Sequence, residues 1–201
     1  MTKRYSLPDG CPKHSPWGAV DHGTRYAEGV FFVSTPSHGG FKLEAKHNIQ
    51  IPAAFRREGG WYEEDCDAAI PVFFMPLLFT PEQVHEARNS LRCWHWQAWE
   101  AHFGQIVPLD DSSCKAQAMF IQEHANDLLV VSASGDWHRA VPKGMVGVSA
   151  TIQGSREPGT KQQHFLVSKA EYDTRSNNPG GMFVIAPTRH QTWDPALEVA
   201  S

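Results

Sequence analysis

The order of elements along this chain (strands, then helices, then strands, with no alternation) predicts an α+β fold. Three observations carry that prediction. Residues 30–33 are four consecutive apolar side chains bounded by turn formers, residues 84–101 keep helical apolar spacing, and four β-branched or apolar runs follow Asp127. The expected architecture is an antiparallel sheet made from an N-terminal hairpin and a C-terminal meander, with two or three helices packed on one face.

Each element has its own signal. Pro8, Gly10, Pro12 and Pro16 punctuate the start, so 1–16 reads as a flexible arm, 17–195 as a single domain and 196–201 as a tail. Residues 26–34 read as a strand, and the unbroken run inside it suits a strand buried on both faces. Pro36 to Gly40 turns the chain, and Phe41 to Leu43 returns as the second strand of a hairpin. Residues 49–57 read as irregular, with one helical turn after Pro52. Acids between Trp61 and Asp67, followed by an apolar run, read as a helix start, which Pro71 should kink or cut short. A strand from Val72 is the competing reading.

Thr80-Pro81-Glu82-Gln83 is a capping box. Val84, Ala87, Leu91, Trp94, Ala98 and Ala101 then continue a helix as far as Gly104. A second helix is expected over 112–126. Runs at 128–133, 145–152, 164–167 and 182–186 follow, separated by Gly- and Pro-containing turns, as in a meander. Ser168-Lys169-Ala170-Glu171 is a second capping box and places a short helix before the last strand.

Composition narrows the function. Lys and Arg number 18 against 22 Asp and Glu, a net charge of −4 that argues against nucleic acid and anionic membrane as partners. No apolar run is long enough to span a bilayer, and residues 1–10 are polar, which reads as no secretory signal. The cysteines Cys11, Cys66, Cys93 and Cys114 form no CxxC pair, so reduced thiols in the cytoplasm are expected. Phosphate-loop, dinucleotide-binding, nucleophile-elbow and HExxH motifs do not occur, and no cofactor or metal is assigned.

Chemistry concentrates in two segments. Ser37-His38-Gly39-Gly40 makes a tight turn in which Gly39 and Gly40 permit close backbone approach. Trp61-Tyr62-Glu63-Glu64-Asp65-Cys66 gathers carboxylates around a thiol. Five acids in residues 58–67 call for cationic or proton-donating neighbours, so His38 is expected beside one of Glu63, Glu64, Asp65 or Asp67. Cys66 and His38 are the candidate nucleophile and base, with Asp65 or Asp67 to orient the imidazole. A helix N-terminus favours a thiolate whereas the surrounding acids oppose it. The order His before Cys is similar to that of the circularly permuted NlpC/P60-like cysteine hydrolases and acyltransferases, although the asparagine-cysteine pair of the acyltransferases is here Asp65-Cys66. Candidate binding residues are Gly39, Gly40, Trp61, Tyr62, Glu63, Glu64 and Trp96. The last comes from Trp94-His95-Trp96-Gln97-Ala98-Trp99, whose three indoles cannot all face one core.

Residues 26–69 also resemble a family of uncharacterised proteobacterial proteins carried on plasmids, phages and other mobile elements. The resemblance rests on the Ser/Thr-x-x-His-Gly-Gly hairpin at Ser34 to Leu43 and the Gly-Gly-Trp-Tyr-Glu-Glu-Asp-Cys signature at Gly59 to Cys66. It implies a bacterial cytoplasm and an accessory role, and no particular reaction. The function expected is binding of a host or element protein, with counter-defence as its use. The alternative is a cysteine-dependent hydrolase or acyltransferase.

Overall fold

A computed structural model of the chain describes residues 7–196, in two compact units, Met1–Ser112 and Ser113–Ser201. The division falls inside the stretch the sequence reads as one domain. The first six residues of the expected arm lie outside the described residues, as does the expected tail apart from Ala196.

The first unit begins with a short ribbon, β1 (His14–Ser15) against β2 (Gly18–Ala19). It continues with β3 (His22–Ala27), β4 (Val30–Ser34), β5 (Gly39–Leu43), α1 (Ala45–Asn48), β6 (Trp61–Glu63), α2 (Ala69–Phe74), α3 (Pro81–Trp94) and α4 (Trp96–Phe103). Strands β3-β4-β5-β6 form an antiparallel sheet in that order. The register pairs Phe32 with Phe41, Phe41 with Tyr62, and Val30 with Leu43. With a period of two, these side chains share one face. There Val30, Phe41, Leu43 and Tyr62 join Ile70, Ala87, Leu91 and Trp99 of α2, α3 and α4 in one core.

Phe31 and Val33 point the other way and are 2% and 0% exposed, so β4 is buried on both faces as its apolar run requires. The cover over that second face is the stretch expected to be an arm. A Cβ at Gly23 would meet Cys11 and Pro8, and one at Gly40 would meet Trp17. Trp17 also packs edge-on against Trp61, with ring centroids 5.7 Å apart. Residues 8–17 are therefore docked, because a two-sided apolar strand needs an apolar cover.

The helix expected from Trp61 starts later. Gly59 and Gly60 have φ of +69° and +70°, and a Cβ at Gly60 would strike the Leu43 carbonyl. This left-handed pair turns the chain back so that Trp61–Glu63 pairs with β5 instead of opening a helix. Pro71 neither kinks α2 nor ends it. It is the third helical residue, where a backbone N–H would lack an intrahelical acceptor anyway.

The capping box forms: the Gln83 N–H donates to Thr80 Oγ1 at 3.3 Å, and the Thr80 N–H donates to Gln83 Oε1 at 3.0 Å. The single helix expected over 81–103 breaks at His95, whose φ and ψ are −115° and 32°. Gly104 ends α4 in the left-handed conformation.

The second unit holds α5 (Ser113–Glu123), β7 (Leu128–Ser134), β8 (Met145–Ile152), β9 (Gln163–Ser168), α6 (Lys169–Asp173), β10 (Val184–Ile185) and β11 (Gln191–Thr192). The meander β7-β8-β9 is extended by β10 on one edge and β11 on the other, every pairing antiparallel. Its own core gathers Leu128, Val148, Ala150, Phe165, Val167, Phe183 and Ile185. Ser168 caps α6 by accepting from the Glu171 N–H.

The fold is α+β with antiparallel sheets. Hairpin and meander belong to separate sheets, each burying a face in its own core, and the described residues hold six α-helices. None of these helices is long and apolar enough to cross a membrane.

Candidate functional site

The two chemistry-bearing segments meet at the β5–β6 pairing. Gly40 pairs with Glu63, and the Glu64 N–H donates to the Gly39 carbonyl at 3.0 Å. The turn ahead of β5 is held by Thr35, whose hydroxyl oxygen accepts from the His38 N–H at 3.1 Å and donates to the His38 carbonyl at 2.9 Å. A Cβ on Gly39 would collide with the Glu64 carboxylate and approach the Val33 carbonyl, so only glycine lets Glu64 fold over the turn. His38 Nδ1 then lies 3.9 Å from Glu63 Oε1. His38 is thus beside the acidic turn.

The other expected cations divide their work. Arg57 forks onto Asp67, with Nε–Oδ2 and Nη2–Oδ1 both 2.7 Å. His95 Nε2 adds a contact to Asp67 Oδ1 at 3.3 Å and lies 3.4 Å from the Cys66 carbonyl oxygen. Burial alone would raise the Asp67 pKa. The hydrogen bonds from His95 and Arg57, and their charge, outweigh burial and hold the carboxyl well below the usual range. Arg56 instead donates to the carbonyls of Ile49 and Ile51, and Lys42 donates to the Gly59 carbonyl while lying over the Trp61 ring.

Among the described residues no hydrogen bond joins Cys66 and His38. The Cys66 thiol makes no hydrogen bond among the described residues, and His38 is paired with Glu63. Burial pushes the thiol pKa up, and the charges of Asp65, Asp67 and Glu63 push it further. The dipole invoked from sequence is displaced as well, because α2 begins only at Ala69. Asp65 is exposed and orients no imidazole; its N–H donates to Glu63 Oε2 at 2.9 Å.

Two expected binding residues are taken up by packing. Tyr62 is fully buried, since alternation along β6 turns it to the core, and its hydroxyl donates to Asn48 Oδ1 at 2.6 Å. Trp96 is half-buried against the same core, and Trp94 is the indole left outside, 56% exposed. Gly39 and Gly40 are buried, and Trp61 is half-buried.

Beside the acidic turn lies a groove of about 370 Å³. Its floor is aromatic: Tyr26, Phe32, Phe41 and Phe79 form a chain of ring contacts with centroids 5.0 to 5.7 Å apart. Its rim carries Glu64, Asp65 and Glu86, and among the described residues no Lys or Arg lines it. The sequence reading found the acids and missed the floor. The available signal was the pair Phe32 and Phe41, opposite each other in a hairpin, together with the face of α3 that carries Gln83, Glu86 and Ser90 at helical spacing. A larger cavity of about 630 Å³ in the second unit has, among the described residues, Arg156 as its one charged lining residue and gathers no comparable set.

The model of a domain of unknown function, DUF7007, matches residues 10–125, more than half of the chain. The chain belongs to the DUF7007 family. The matched region contains the hairpin, the acidic turn and every residue lining the groove. Neither the curated proteins nor the solved structures contain a match to the chain.

Proposed function

We propose that this protein acts by binding a segment of a partner protein, one that presents a lysine or arginine beside apolar side chains, and that the groove of the first unit receives it. The observation that carries the reading is the acidic rim over an aromatic floor without a resident cation. Aromatic faces attract an ammonium or guanidinium, carboxylates at the rim pair with it, and the apolar floor buries the stem of the same side chain. The likeness of residues 26–69 to proteins of plasmids, phages and other mobile elements supports an accessory role in the bacterial cytoplasm. The partner is then a host or element protein, and counter-defence is the use such binding would serve.

The cysteine-enzyme reading has less support. The Cys66 thiol is raised and, among the described residues, has no hydrogen bond with His38, so the base–nucleophile geometry it needs lacks an anchor. The binding reading is tested by fluorescence anisotropy of short labelled peptides on the full chain. A peptide with arginine between leucines and phenylalanines should bind, and its glutamate counterpart should not. Glu86→Lys should weaken binding about tenfold, and Ser90→Phe, which fills the groove, should do so at least as strongly. Equal binding of both peptides, or indifference to both substitutions, overturns the reading.

A further inference from the structure

We infer that His38, Glu63 and Glu64 form a binding site for a divalent transition-metal ion, with Zn²⁺ as the first choice and Mn²⁺ the second. The three side chains each offer one donor atom, and the donors all lie within 4.8 Å of one another. Ligands sharing one ion at about 2.1 Å from it stand about 3 to 3.5 Å apart. His38 and Glu64 are exposed, so rotation of their side chains closes the remaining gap while the backbone stays in place.

One further observation, independent of the clustering, points to a cation here, and the backbone then supplies a frame for it. That observation is the state of Glu63. One of its carboxylate oxygens, Oε2, is fixed by the Asp65 N–H. The other, Oε1, is itself buried although the side chain as a whole is 31% exposed; it accepts no hydrogen bond from any described residue and lies 3.9 Å from His38 Nδ1. A buried carboxylate oxygen without a donor is costly, and a shared cation relieves that cost. Among the described residues the nearest cations in sequence are engaged elsewhere: Arg57 is committed to Asp67, and Arg56 and Lys42 to backbone carbonyls.

The frame is the turn itself. The close passage of Glu64 over Gly39 exists only because residue 39 has no Cβ, and the Thr35 hydroxyl fixes the backbone of His38 from below. The loop thus brings an imidazole and two carboxylates within reach of one another. That donor set, nitrogen and oxygen without thiolate, suits Zn²⁺ or Mn²⁺. With three protein ligands and two of them exposed, coordination positions stay open to solvent, as in sites that bind or activate a further ligand.

The proposal stands apart from the peptide-binding reading, although Glu64 also lines the groove, and its test uses the metal alone. Tag-free full chain is titrated with ZnCl₂, and separately with MnCl₂, by isothermal calorimetry. One equivalent should bind, and His38→Ala and Glu63→Gln should each weaken that binding at least tenfold. Glu58→Gln, an acid outside the set, should leave it unchanged. Circular dichroism establishes that each variant is folded, and Glu64→Gln, which keeps the shape of the cradle, serves if Glu63→Gln does not fold. Binding that survives all three ligand substitutions, or that shifts equally with Glu58→Gln, places the ion on scattered histidines and overturns the proposal. So does the absence of binding by the folded wild-type chain.

Discussion

At the level of single residues, Asp67 is held by both Arg57 and His95. The bidentate fork and the imidazole contact are charge-assisted, so Asp67→Asn should cost about 1.5 to 3 kcal/mol in urea unfolding. The folded carboxyl lies well below its free value of about 3.9, so it stabilises the fold above that pH and loses its contribution as pH falls. The gap between wild type and Asp67→Asn should therefore narrow between pH 6 and pH 3. A gap that stays constant over that range would contradict the assignment. The neighbourhood of His38 and the acids was legible in the sequence, because five carboxylates in one short stretch demand nearby cations. The role of His95 was not. It depends on a helix break that the uninterrupted helical spacing of 84–101 conceals, and on a side chain far along the chain from Asp67.

Among the elements, the capped helix starts, the hairpin and the meander follow the sequence reading, whereas the helix break at His95, the strand at Trp61 and the docked N-terminal segment do not. The capping box at Thr80 formed in full, and at Ser168 only its first half did: the hydroxyl accepts from the Glu171 N–H, while the Glu171 carboxylate pairs with Arg189 and His190 instead of reaching back. Thr80→Ala should accordingly lower stability by about 1 kcal/mol, read as a shift in the urea midpoint without a change in slope. The stretch Trp61–Glu63 was misread because acids before an apolar run look alike in a helix start and in a strand ending at a turn. The left-handed glycines ahead of it decide the matter. The N-terminal segment looked like an arm for a similar reason: prolines mark it as irregular, and irregular chain can still be docked. Trp17 and Cys11 lie against the sheet, so removing residues 1–17 uncovers the second face of β4. That truncation should lower the melting temperature and increase binding of a hydrophobic dye. An unchanged melting temperature would show the cover to be dispensable.

For the molecule as a whole, each compact unit has its own sheet and its own buried cluster. Cooperative unfolding follows a shared core, so fragments 1–112 and 113–201, expressed separately, should each unfold in a sigmoidal transition. A fragment that shows no transition would mean that its cluster does not stand alone. The candidate chemistry lies wholly in the first unit: the glycine turn, the acidic turn and the aromatic groove. The central claim, that this groove takes a cationic apolar segment, is tested most directly by amide NMR of the ¹⁵N-labelled full chain titrated with the arginine-bearing peptide. The account predicts saturable shifts centred on Tyr26, Phe79, Gln83 and Glu86, and none with the glutamate counterpart. Shifts centred on the β7–β9 sheet, or identical responses to the two peptides, would contradict it.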